Sequence, residues 1–331
     1  MARFILALAL AAAAQAGAHR DWAAAPAIVE IDTREDVYAI GDAHADYDRL
    51  VKLLVAAKIL GKTPATPSEP RWTAGRSVVV FTGDMIDKGP HALKVLELIH
   101  RLEIAAPSSG GRVVVLMGNH EAEFLAGTSP AKSKEFRAEL ASVGWNASKV
   151  AACEGDLGRW LCSLAFGARV NGWFFSHAGN TAGRTLPKLS ADLEAGVEKD
   201  GFRTPELIGD NSLLEARLGK NPWIEKGPGR DAQALLAADA AALGVQHIVE
   251  GHQPAKLDFA DGVVREAGEM FQRYGLLFLI DTGMSVGVGD SHGAALHIRG
   301  DEAVAICPSG QETVIWDRGE HARIGRAAPC K

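Results

Sequence analysis

Five stretches of this 331-residue chain set aspartate, histidine or asparagine beside glycine. They are Gly41-Asp42-Ala43-His44, Gly83-Asp84-Met85-Ile86-Asp87, Gly118-Asn119-His120-Glu121, His177-Ala178-Gly179 and Gly251-His252. Carboxylate and amide oxygens are hard donors and imidazole is a borderline one, so the mixture suits a cation such as manganese, iron or zinc. Each stretch follows a short apolar run: Val37-Tyr38-Ala39-Ile40, Val78-Val79-Val80-Phe81, Val113-Val114-Val115-Leu116, Phe174-Phe175-Ser176 or His247-Ile248-Val249. Runs of this length, rich in β-branched and aromatic residues, read as buried strands, and the glycine marks the loop that ends each one. The donors therefore lie at the carboxyl ends of strands, where open α/β sheets place their chemistry.

The elements between these loops follow from periodicity. A helix is predicted over about 47–60, with Leu50, Leu53, Leu54 and Ala57 as its apolar stripe. Pro90 suits the first turn of a second helix, for which Leu93, Leu96, Leu98 and Ile99 supply apolar positions. Strands joined through helices imply parallel crossovers, which gather Asp42, His44, Asp84, Asp87, Asn119 and His120 along one sheet edge. Asn171-Gly172 reads as a hairpin turn, and later strands are expected near 276–280, 294–298 and 303–306. The stretches 123–165 and 182–243 read as helical caps or walls without ligand pattern. Trp145, Trp160 and Trp173 read as core.

Hydrophobic residues make up 47% of the chain and charged ones 23%, enough apolar content for one large domain, placed at 30–316 with residues 317–331 as a tail. The net charge of −6 and the lack of a basic block speak against a nucleic-acid partner. Arg3, the apolar run 4–14 and small residues at Ala14-Gln15-Ala16 or Ala16-Gly17-Ala18 read as a secretory signal over 1–18. An exported protein, periplasmic or secreted, with no membrane span after signal removal, is the expectation. An oxidising compartment permits disulfides, and sequence proximity favours Cys153–Cys162 and Cys307–Cys330, with buried free thiols as the alternative.

Together, and in this order, the five loops resemble the signature blocks of the metallophosphoesterases. They are most similar to the phosphoprotein-phosphatase branch and its bacterial, Shewanella-like members, as is Ile280-Asp281-Thr282-Gly283-Met284. The resemblance implies an α/β fold with a two-sheet β-sandwich core flanked by helices, 123–165 and 182–243 being helical insertions. It implies two metal ions, the first held by Asp42, His44 and Asp84. The second would be held by Asp84, Asn119, His177 and His252, with Asp84 bridging. Two such ions acidify water and clamp phosphoryl oxygens, which slow phosphomonoester hydrolysis requires.

His120, beside a ligand and of suitable pKa, is the expected general acid, with Asp87 holding its imidazole. A helix N-cap before Pro90 is the competing role for Asp87. Lys88 and Asn119 are expected on the phosphate, and Lys226 of Asn221-Pro222-Trp223-Ile224-Glu225-Lys226 in the place of a family arginine. Lys88 itself replaces a usual arginine, Ala45 a usual glycine, and Met117 an arginine of the eukaryotic branch. Gly289-Asp290-Ser291-His292-Gly293 copies the first block literally, yet its glycine-punctuated approach reads as a turn. The expected reaction is attack by metal-bound hydroxide on a phosphorylated protein, with relatives that look tyrosine-directed. A nucleotide or small-molecule phosphoesterase and a non-catalytic phosphoprotein-binding module are the alternatives.

Overall fold

Four-residue apolar runs become strands buried on both faces, and side-chain alternation divides them between two cores. In Val78–Phe81, Val78 and Val80 pack with Ala39, Val114, Phe175, Val249 and Phe278 in a core between two sheets. Val79 and Phe81 pack outward against the helix residues Leu50, Leu53, Leu96 and Ile99.

The structure is a computed structural model that describes residues 20–128, 130–218, 231–319 and 324–331, so the expected signal lies outside it. The chain begins with β1 (Ile28–Ile31), β2 (Val37–Ile40), α1 (Tyr47–Ala56), β3 (Val78–Phe81), α2 (Ala92–Ala105) and β4 (Arg112–Val115). The first insertion holds α3 (Asn119–Ala126), α4 (Lys134–Ser142), α5 (Ala147–Ala151) and α6 (Gly155–Ser163). The hairpin β5 (Gly167–Val170) and β6 (Trp173–Ser176) precedes the second insertion, with α7 (Leu186–Asp200), α8 (Pro205–Ile208) and α9 (Ala232–Leu243). Then come β7 (His247–Glu250), β8 (Leu257–Asp258), β9 (Val264–Arg265), β10 (Met270–Arg273) and β11 (Leu277–Leu279). β12 (Ala295–Arg299), β13 (Glu302–Ile306), β14 (Glu312–Asp317) and β15 (Ile324–Ala327) close the fold.

One sheet has the order β1-β5-β6-β7-β11-β10-β15 and the other β14-β13-β12-β2-β3-β4, with β8 and β9 as a separate pair. They face each other as the expected sandwich. β2, β3 and β4 run parallel, as do β6, β7 and β11. All six therefore deliver their carboxyl ends to the same rim.

Four expectations need correction. Residues beyond 316 are not a free tail: β15 pairs antiparallel with β10, and Cys330 is bonded to Cys307. The folded part also starts before residue 30, since the Arg20 guanidinium donates to the carbonyl oxygens of Leu164 at 2.9 Å and Ala25 at 2.8 Å. α2 begins at Ala92, after Pro90, because Glu139 from α4 accepts from the first N–H groups, Ala92 at 2.8 Å and Leu93 at 3.1 Å. Trp145 is 49% exposed, whereas Trp160 and Trp173 are buried. The favoured disulfides Cys153–Cys162 and Cys307–Cys330 are both present. No helix among the described residues is long and apolar enough to cross a membrane.

Candidate metal centre and catalytic site

The loops after β2 and β3 are laced together by backbone bonds, His44 N–H to Asp84 O and Ala45 N–H to Met85 O, both 2.9 Å. The loop after β4 meets that after β3 so closely that a Cβ on Gly83 or Gly118 would collide with the other's backbone, and Gly83 also takes φ +102°. Crowding at this rim shows in the dihedrals: His44, Ala45, Asp84, Asp87, Lys88 and His252 all have positive φ between 40° and 67°. Each non-glycine residue there carries about 1–2 kcal/mol of strain. Ala45, at φ 58°, thus bears strain that the usual glycine would avoid.

Glu121 offsets the strain. Its buried carboxylate accepts from the N–H groups of Asp84 at 2.9 Å, Met85 at 2.8 Å, Ile86 at 3.2 Å and Gly118 at 2.9 Å. An amide presents its NH2 where two of those donors need an acceptor, at about 1–3 kcal/mol per buried donor left unpaired. Glu121→Gln is therefore expected to cost at least about 2 kcal/mol in urea unfolding. An unchanged midpoint would show that Glu121 does not brace the loop.

Asp84 sits at the centre. Its Oδ2 lies 3.5 Å from His44 Nε2 and 4.0 Å from His120 Nε2, and its Oδ1 lies 3.4 Å from His177 Nε2. Beyond these, Asp42 Oδ2 is 4.0 Å from His44 Nε2, Asn119 Oδ1 is 3.0 Å from His177 Nε2, and His252 Nδ1 is 3.1 Å from the same nitrogen. Two groups of donors that could hold an ion result: His44, Asp84 and His120, and Asp84, His177 and His252. All are buried, and Asp84 belongs to both. His44 and His177 direct Nδ1 at the carbonyl oxygens of Ile86 (3.2 Å) and Thr82 (2.9 Å), which leaves Nε2 as the inward lone pair.

Protonation favours the same use at His44 and His252. At His177 burial opposes protonation, but the Asp84 charge and hydrogen bond outweigh it and raise the pKa. Burial lowers the His44 pKa to about 3, so its ring is neutral. Burial, then the charges of His177 and Arg217, push His252 well below the ordinary histidine value. Burial, then the Asp281 charge, raise the Asp42 pKa. Burial opposes protonation of His120, but the Asp84 charge and the Asp87 hydrogen bond outweigh it and raise its pKa. That hydrogen bond joins His120 Nδ1 to Asp87 Oδ2 at 2.8 Å. Asp87 thus holds His120 and does not cap α2, which has no side-chain cap from its own N-cap His91.

The residue set fits two cations. Two imidazole nitrogens face one another at 3.1 Å beside a carboxylate shared with a third imidazole, and His252 Nε2 is buried without a partner among the described groups. Such a cluster of lone pairs is costly unless a cation or protons compensate it. Asp42, His44, Asp84, Asn119, His120, His177 and His252 are all brought together, and Lys88 places Nζ 3.5 Å from His44 Nε2. The literal repeat of the first block is a turn: Asp290 pairs with Arg49, and His292 is exposed. Lys226 lies outside the described residues.

Three residues at the site were not singled out from sequence. Glu121 and Asp281 stood inside recognised blocks, and acids in otherwise buried positions were their signal. Arg217 had none, being in a stretch read as wall. Its segment is tied to the site at both ends, by Ala178 N–H to Leu213 O at 2.9 Å and Leu218 N–H to Gln253 Oε1 at 2.9 Å. The exposed Arg217 guanidinium is thereby set where its charge reaches His252.

Comparisons with known proteins show the family and the fold. A family model described as calcineurin-like phosphoesterase matches residues 36–256. Shewanella-like protein phosphatase 2 of Arabidopsis thaliana is 39% identical, over 83% of this chain and 78% of its own. Shewanella-like protein phosphatase 1 of Plasmodium berghei is 26% identical, over 76% of this chain and 67% of its own. In fold, the chain resembles the cold-active protein tyrosine phosphatase of a psychrophilic Shewanella, with TM-score 0.66 and 22% identity over 86% of this chain and 81% of that one. The chain belongs to the calcineurin-like phosphoesterases, in the branch of the Shewanella-like protein phosphatases, and is a metal-dependent phosphatase.

Proposed function

We propose that the enzyme hydrolyses phosphomonoesters, that its substrates are phosphorylated proteins, tyrosine-phosphorylated ones included, and that it works outside the cytoplasm. The observation that carries the reaction is the placement of the Asp87–His120 pair beside Asp84, with His120 Nε2 turned toward the donor cluster. Asp42, His44 and Asp84 would hold one cation, and Asp84, Asn119, His177 and His252 a second. When bound, manganese, iron or zinc ions acidify water and neutralise phosphoryl charge.

The chain's own groups do the rest. Lys88, beside His44, and Arg217, whose charge reaches His252, receive the phosphate oxygens. His120, protonated at Nε2 and fixed at Nδ1 by Asp87, gives its proton to the leaving oxygen. A monoester suits this layout because two cationic side chains meet a dianion, whereas a diester offers one charge fewer. The protein class of substrate is supported by the named relatives. Export is supported by the charged start and apolar run of residues 1–18 and by four cysteines paired in two disulfides.

Turnover of p-nitrophenyl phosphate compared with its bis-ester, before and after chelation, tests the reaction. Monoester hydrolysis that is faster by at least about tenfold and abolished by chelator is expected. Preference for the bis-ester points to the phosphodiesterase reading, and no metal-dependent release to a binding module. Phosphotyrosine and phosphoserine peptides, tested next, read the substrate class. Lys88→Ala and Arg217→Ala should each lower kcat/KM by about 10- to 100-fold, since a charge-assisted hydrogen bond is worth about 1.5–3 kcal/mol. Wild-type kinetics in Arg217→Ala would remove it from the phosphate site.

A further inference from the structure

A carboxamide can ligate a cation only through its oxygen, so the orientation of Asn119 decides whether it is a donor. Its Oδ1 lies 3.0 Å from His177 Nε2, and its Nδ2 donates to Glu215 Oε1 at 3.0 Å. A carboxyl oxygen that carries no proton only accepts hydrogen bonds, so Glu215 Oε1, 3.0 Å from Nδ2, fits just one of the two amide orientations. Glu215 comes from the second insertion, 96 residues along the chain, and its side chain is only 16% exposed. It is itself held. Its backbone N–H donates to Ser212 Oγ at 3.1 Å, and Lys132 Nζ lies 3.9 Å from Oε1. Glu123 stands one turn after Asn119 on α3 and is ion-paired with Lys132, so the two acids share a cation that allows them to adjoin.

We propose that Glu215 is a positioning residue: it locks the Asn119 carboxamide with its oxygen toward the second cation and docks the segment that carries Arg217 on the metal centre. The inference rests on the two-cation reading above. It differs from a packing role in what it requires of the side chain, namely a hydrogen-bond acceptor at that point. Met keeps the length of Glu215 without an acceptor, and Gln keeps both.

The test is a manganese titration against a fluorescent chelator, with melting temperatures recorded, on the wild-type, Glu215→Gln and Glu215→Ala chains. Loss of such an outer partner typically weakens metal binding about 10- to 100-fold, and that loss is expected for the second ion in Glu215→Ala, the first being unaffected. Glu215→Gln, whose Oε1 still accepts, should stay within about threefold of wild type. In an Asn119→Ala background, Glu215→Ala should change the second affinity by less than about twofold, because the partner is already gone. Wild-type second-ion affinity in Glu215→Ala, equal losses in the Gln and Ala variants, or additive losses in the double variant each overturn the proposal. Should Glu215→Ala not fold, Glu215→Met takes its place in every comparison. A wild-type chain that binds fewer than two ions would defeat the proposed function itself, and this inference with it.

Discussion

Asp84→Asn leaves the enzyme without measurable turnover and with less than its full complement of metal. Asp84 Oδ1 accepts the His120 backbone N–H at 3.0 Å and faces His177 Nε2, while Oδ2 faces His44 Nε2. An asparagine keeps a single acceptor. If its oxygen stays with the His120 N–H, its NH2 turns toward His44; if it flips, the His120 N–H meets another donor. Either way one cation loses its donor atom, and the charge that joins the two is gone. Metal stabilisation of the transition state is worth several kcal/mol, so a loss of at least about 10³-fold in kcat is expected. In chelator, burial opposes the Asp84 charge, but the charges of His177 and His120 outweigh it and hold its pKa well below the ordinary carboxylate value. Its loss therefore breaks a buried ion pair, and the melting temperature of the metal-free chain is expected to fall. Near-normal activity with one ion per chain would show that Asp84 does not bridge.

His120→Asn should lower kcat by about 10²- to 10⁴-fold, the ordinary contribution of a positioned acid. Its metal content should match wild type. That second measurement matters because His120 also stands with His44 and Asp84 in a group able to hold an ion. Loss of metal on substitution would make His120 a ligand and remove it as the acid. An acid also matters most where the leaving group is poor. The defect should thus be larger on phosphotyrosine, whose phenol has a pKa of about 10, than on p-nitrophenyl phosphate, whose leaving group is more acidic. Asp87→Asn adds a pH signature. Burial opposes the charge on His120, but Asp84 and Asp87 hold its pKa above the ordinary value, so the acid form persists into higher pH. The rate falls as pH rises through that value, and without the Asp87 carboxylate the fall should come at lower pH. An unmoved alkaline limb would assign it to another group.

What could be read from the sequence was what is local. β2, β3 and β4 announce themselves as β-branched runs that end in glycine, and Asp42, His44, Asp84, Asn119 and His120 follow within a few residues of those ends. Parallel crossovers then leave few ways to arrange the loops except together. Arg217, Asp281 and Glu215 were not legible as site residues in this way. Arg217 is set beside His252 only because Leu213 and Leu218 are bonded to residues on the β6 and β7 loops, contacts that exist only once those two strands are paired. β15 was missed because Ile324-Gly325-Arg326-Ala327 has no apolar run, and it is a strand by virtue of pairing with β10 and the Cys307–Cys330 bond. α2 was started too early because its cap, Glu139, lies 47 residues from Ala92. Even Ala45, correctly recognised as standing where glycine is usual, needed the observed φ of 58° to show that the chain tolerates strain there.

The central claim is that one carboxylate joins two cations, and anomalous diffraction from crystals grown with manganese tests it most directly. Two peaks about 3.5–4 Å apart, one on each side of the Asp84 carboxylate, are the result this account requires. A single peak, or a pair without Asp84 between them, would contradict it.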